Sequence, residues 1–168
     1  MVEYQEGNFW EVYPIYKIKE PFRTIYKKYK STKRSSSMAW YVFLFCDSSS
    51  EFFTYPEDIR KEELDQSFPD ISDVKEVQDA MKIYDDHMCS ADERAFKYWT
   101  KTLLERQRFL ESIHYSDLEL DEVKKMDGIM IDSNRIWDAY QKIEEKYQKS
   151  KAENTIMGGG SETFLEQS

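Results

Sequence analysis

The chain has 168 residues, of which 40% are hydrophobic, 15% aromatic and 34% charged, with a net charge of −9. That length suits one domain with a real core, and a surface so acidic repels nucleic acid as a whole. Five Gly and four Pro are few breakers, which predicts an all-α fold.

Cys46 and Cys89 are too few for a secreted disulfide framework. The first residues hold no basic n-region and no apolar h-region, so no signal peptide is expected. The longest apolar run, 38–46, is about half of what spans a bilayer. A soluble protein from a reducing compartment is expected.

Residues 1–20 carry Tyr4, Phe9, Trp10, Tyr13 and Tyr16. Pro14 interrupts any helix there, and 13–19 alternates like an extended segment. An aromatic arm is expected, lying on the domain or on a neighbouring subunit. Pro21 suits a helix first turn, and Phe22, Ile25, Tyr26 and Tyr29 continue it to about residue 30. Ser35-Ser36-Ser37 reads as the entry to the run 38–46. Periodicity does not separate helix from strand in that run. The serines before it and Asp47 behind it favour a helix apolar all round, with Cys46 a small buried hydrophobe.

Thr54-Tyr55-Pro56-Glu57 has the capping-box pattern and predicts a helix over 55–66. Ser72 is placed to cap the next, with Val74, Val77, Met81, Tyr84 and Met88 on its apolar face. Ser90-Ala91-Asp92-Glu93 is a second box, before a helix carrying Ala95, Phe96, Trp99, Leu103, Leu110 and Ile113. Ser116-Asp117-Leu118-Glu119 is a third box. It opens the longest helix signal, strongest over 122–150, where Met126, Ile129, Ser133, Ile136, Tyr140, Ile143 and Tyr147 recur at alternating spacings of three and four. Val123, Met130 and Trp137 widen that face, and truncating Trp137 is predicted to cost about 3–5 kcal/mol. The short link between the last two helices predicts an antiparallel hairpin. Gly128 within the long helix suggests a close contact or a kink. Gly158-Gly159-Gly160 reads as a hinge. The expected organisation is an N-terminal arm over 1–20, a helical domain over 21–152 and a flexible C-terminal arm over 153–168.

Candidate chemistry is sparse. Asp85, Asp86, His87 and Cys89 stand together, but no second cluster completes a zinc set. A helix end with a cation in its last turn explains them better. No phosphate-binding loop or nucleophile motif is present, so no catalytic residue, metal or cofactor is expected. Charge is more informative. Residues 17–34 hold eight basic residues against one acid, so that segment carries +7 and the remainder −16. Lys27, Lys28, Lys30, Lys33 and Arg34 form its dense part. They could meet nucleic acid, with Tyr26 and Tyr29 stacking on bases, or an acidic protein surface, or only water. Beyond the hinge, Phe164 and Leu165 are expected to bury in a neighbour's groove.

Several stretches carry a resemblance. The basic segment runs into Ser-Ser-Ser-Met-Ala-Trp. Then come Tyr-Pro-Glu-Asp-Ile-Arg, Ser-Ala-Asp-Glu-Arg, Asn-Arg-Ile-Trp-Asp-Ala-Tyr and a Gly-Gly-Gly-Ser-Glu tail. Together they resemble the small helical head–tail connector (portal adaptor, or ring) proteins of tailed bacteriophages, of the crAss-like podovirus type. The resemblance implies a structural virion protein made in the host cytoplasm. It implies a twelve-fold homo-oligomeric ring between portal and tail, with DNA passing its lumen without sequence-specific binding and terminal arms clasping neighbours. No membrane partner is implied. The alternative is a cytoplasmic helical interaction module that binds an acidic partner through the basic segment, and an enzyme ranks third.

Overall fold

The structure, a computed structural model, describes residues 7–114 and 118–159, with side chains to residue 153. Among the described residues there are seven α-helices and no strand, so the fold is all-α. The chain divides at Ser90 into two compact units, Met1–Ser90 and Ala91–Ser168. The helical domain expected over 21–152 runs across that division.

The first unit is built around α3 (Lys33–Cys46), with α1 (Phe9–Val12), α2 (Phe22–Tyr29), α4 (Glu57–Ser67) and α5 (Lys75–Met88) packed about it. The run 38–46 is helical, and Met38, Ala39, Tyr41, Val42 and Leu44 are buried. The helix begins earlier than expected. Thr32 is its N-cap, accepting from the Ser35 N–H at 3.2 Å. Ser35 and Ser36 thus lie inside the helix and are buried. Their hydroxyls hold α1. Trp10 Nε1 donates to Ser35 Oγ at 2.9 Å, and the Phe9 N–H donates to Ser36 Oγ at 2.8 Å. Ser35 Oγ in turn reaches the Lys30 carbonyl at 2.6 Å.

Over residues 7–20 the N-terminal segment is thus not an extended arm, and Tyr4 lies outside the described residues. Asn8 caps α1 by accepting from the Trp10 N–H, and residues 14–17 form a 3-10 turn after Pro14. Phe9 and Trp10 are fully buried. The physical reason is the ring cluster. Phe9 lies 5.1 Å from both Phe22 and Trp40, and Tyr16 stacks on Phe22 at 4.9 Å. Helical turns bring these rings to one side, which alternation along a strand does not.

Two expected caps are absent. The short 3-10 turn Glu51–Thr54 precedes α4, Pro56 occupies the N-cap of α4, and no side chain caps it. Val74, not Ser72, is the N-cap of α5. The apolar face of α5 holds, with Val77, Ala80 and Tyr84 buried. Cys46 is half-buried against the core rather than fully enclosed.

The second unit pairs α6 (Ala91–Glu111) with α7 (Leu120–Gly159). Phe96 stacks on Tyr147 at 4.6 Å, and ten residues further along α6 Arg106 donates to the Ile129 carbonyl at 2.8 Å. The contacts run in opposite directions along the two helices, so they are antiparallel. Residues 115–117, including most of the third box, lie outside the described residues. The start of α7 shows half of a box one turn later, because the Glu119 N–H donates to Glu122 Oε2 at 3.0 Å. Met126 and Tyr147 are buried, and the five stripe residues between them are partly buried.

Trp137 is a correction. It is 52% exposed, with its ring 5.5 Å from Tyr140. It sits to one side of a seam that faces one partner helix, so the cost of a buried ring does not apply to it. Gly128 is another, because a Cβ there would meet nothing within 4 Å, so no close contact requires glycine. The helix also runs through the expected hinge as far as Gly159. Gly160, Phe164 and Leu165 lie outside the described residues.

Two stability outcomes follow from this packing. Ser35→Ala leaves the buried Trp10 indole N–H without an acceptor and is expected to cost about 1–3 kcal/mol, read by chemical denaturation. Gly128→Ala is expected to add about 1 kcal/mol, since only helix propensity changes. A lower midpoint for that variant would show that the position needs glycine.

Candidate docking surface

Among the described residues the interior polar side chains of the first unit are engaged, apart from Arg60 Nε. Tyr41 OH donates to Asp65 Oδ1 at 3.0 Å, and Tyr84 OH donates to Asp47 Oδ2 at 2.7 Å. Burial first, and the facing carboxylate second, push both phenols far above their usual range. Burial also pulls the Asp65 carboxyl upward, yet hydrogen bonds from Lys61 and Tyr41 outweigh it and hold the group below the usual range. Arg60 crosses from α4 to the end of α3. It donates to the carbonyls of Phe45 at 2.7 Å, Phe53 at 2.5 Å and Tyr55 at 3.0 Å. Its guanidinium lies over the Phe45 and Phe53 rings at 5.5 and 5.2 Å. A cation there satisfies a carbonyl left open at a helix C-terminus. Burial lowers its pKa, and its Nε alone, among the described residues, is buried without a partner.

The five basic residues singled out from sequence are all exposed, at the end of α2 and the start of α3. They are not equivalent. Lys28 is paired with Glu76 of α5, and Tyr29 OH donates to the same carboxylate at 3.1 Å. The hydrogen bond from Lys28, before all other causes, holds the Glu76 carboxyl below its usual range. Lys28 is therefore part of the α2–α5 contact.

Lys27, Lys30, Lys33 and Arg34 make no ion pair among the described residues. Three of them occupy locally unfavourable positions. Lys30 follows α2 with φ 56° and ψ −150°, backbone that favours glycine. Lys33 and Arg34 form the first turn of α3, where the helix dipole disfavours cations and no acid is present.

Beside this cluster lies a feature that sequence reading missed. Val12, Ile15 and Ile18 are 45, 58 and 70% exposed. Residues three apart share a side in a 3-10 turn, so Ile15 and Ile18 project together. The tyrosines of the same segment turn inward, with Tyr13 5.2 Å from Phe43. Lys17 sits over the Tyr26 ring at 5.7 Å, which joins the aliphatic strip to α2. The three-residue recurrence of Val12, Ile15 and Ile18 was the available signal, masked by the alternation of aromatic residues between them.

Asp85, Asp86 and His87 are exposed near the end of α5, and half-buried Cys89 has its Sγ 3.4 Å from Asp85 Oδ1. Among the described residues no three His, Cys, Asp or Glu side chains are grouped to hold a metal ion. No described helix is long and apolar enough to cross a membrane.

Lys30→Gly tests whether the lysine is kept at a local cost. Relief of its backbone is expected to raise stability by about 1 kcal/mol, read as an increased melting temperature. A fall would mean the side chain supports the fold. No family model, curated protein or solved structure matches this chain, so nothing outside it assigns the surface a partner.

Proposed function

We propose that this chain is a non-catalytic assembly subunit that docks on an acidic protein surface through its basic segment. The observation that carries the reading is the placement of Lys30, Lys33 and Arg34. Each stands where the local backbone or the helix dipole disfavours it, and each is exposed. Residues kept against local preference are best explained by what they do elsewhere. The exposed aliphatic strip beside them favours protein over nucleic acid. A protein interface has an apolar centre with a charged rim, whereas phosphate recognition needs cations without one. The resemblance to head–tail connector proteins names one such assembly, a ring subunit at the head–tail junction of a virion, and the basic segment would serve it by gripping a neighbouring subunit or the portal.

The test uses an immobilised acidic amphipathic peptide of Glu and Leu, with a short DNA duplex as comparison. The wild type is expected to bind the peptide in preference to the duplex. Replacing Lys27, Lys30, Lys33 and Arg34 together by Ser should weaken peptide binding about tenfold or more, as several charge contacts are lost. Tight duplex binding with a steep salt dependence would sink the proposal.

A further inference from the structure

The first unit carries two surfaces of opposite charge, each with an exposed apolar centre, on different sides of α3. One is the strip of Ile15 and Ile18 with Lys17, Lys19 and the α2 cations. The other is the outer side of α4. There Ile59 is 42% exposed, and Glu62 and Glu63 stand exposed three and four residues further on. That spacing places both carboxylates next to Ile59 on the helix surface. Tyr55, 44% exposed, extends the apolar part just before the helix. Asp58 and Glu62 also line a shallow hollow with Lys61, Asp65 and Gln66.

The contacts of α3 fix where these surfaces lie. Tyr13, next to the strip, meets Trp40 and Phe43 at 5.8 and 5.2 Å. From the other direction Asp65 accepts from Tyr41, and Arg60 covers Phe45. At 3.6 residues per turn, the pair Trp40 and Phe43 points roughly 150° away from the pair Tyr41 and Phe45. The two surfaces therefore face away from each other, and neither can satisfy the other within one copy.

We infer that the acidic surface met by the basic segment is the α4 face of a second copy of this chain, joined head to tail. The strip of Ile15 and Ile18 meets Ile59 and Tyr55, while Lys19, Lys27 and Lys30 face Glu62 and Glu63. Charge complementarity selects this partner, because the chain itself carries both signs on matching apolar centres. Such a contact is heterologous. Each copy uses one surface forward and the other backward, so association proceeds past the dimer to a closed ring or an open chain. The inference rests on the reading of the basic segment as a protein-docking surface.

Sedimentation velocity on the full chain tests it, using Ile18→Asp and Ile59→Asp. Both residues are exposed, so neither substitution disturbs the core. The wild type is expected to grow beyond a dimer with concentration and to shrink with added salt. Each variant alone blocks one surface and is expected to stay monomeric, its self-association weakened about tenfold or more. A mixture of the two retains one intact pair of surfaces and is expected to stop at a heterodimer. A wild type that is monomeric at every soluble concentration overturns the inference. So does a dimer insensitive to both substitutions, or a mixture that stays monomeric. If the monomeric wild type still binds the acidic peptide, the docking function stands and only the identity of the partner is lost. If peptide binding fails as well, both fall.

Discussion

The first unit depends on two buried hydroxyls. Ser35 and Ser36 give the start of α3 the acceptors that the Trp10 indole and the Phe9 N–H require. Without them, burying α1 would strand two donors in a place water does not reach, at a cost comparable to the burial gained. With them, Phe9 and Trp10 bring their rings against Phe22, Tyr26 and Trp40. The 3-10 turn that follows is then held by Tyr13 and Tyr16. Ile15 and the following Ile18 are left exposed.

The same helix needs its two ends closed. Thr32 serves the first, and Arg60 donates to the Phe45 carbonyl at the second, with Asp47 taking the Tyr84 hydroxyl just beyond. The use of Arg60 explains why α4 lies along the Tyr41 and Phe45 side of α3 and presents its acids outward. The pairing of Lys28 with Glu76 likewise fixes α2 on α5 and turns Lys27 to solvent. Internal closure of the unit thus sets the direction of both charged surfaces. Internal contacts distinguish one structural lysine, Lys28, from the four exposed cations Lys27, Lys30, Lys33 and Arg34.

The second unit works on a different balance. Two antiparallel helices share one seam, with the Phe96–Tyr147 stack toward one end and Arg106 bound to Ile129 and Ser133 toward the other. Ser133 is a small member of the stripe, and its hydroxyl makes room for the guanidinium and receives it. A seam between two helices encloses few residues fully. Most of the stripe is therefore partly buried, and Trp137 on its flank remains in contact with water.

The serines before it and Asp47 behind it favoured the helix over 38–46, and composition and periodicity determined the helical class of this protein and the seam of α7 from Met126 to Tyr147. These depend on local spacing, which 3.6 residues per turn converts directly into a face. Charge counting located the basic segment. Tertiary structure decided what spacing does not encode. It folded Phe9 and Trp10 inward, since acceptors at Ser35 and Ser36 lie 25 and 27 residues away along the chain. It assigned Lys28 to a carboxylate 48 residues distant. It also left Ile15, Ile18 and Ile59 exposed. An isoleucine is buried or exposed according to which neighbours pack over its side of the chain, and those neighbours are chosen by long-range contacts alone.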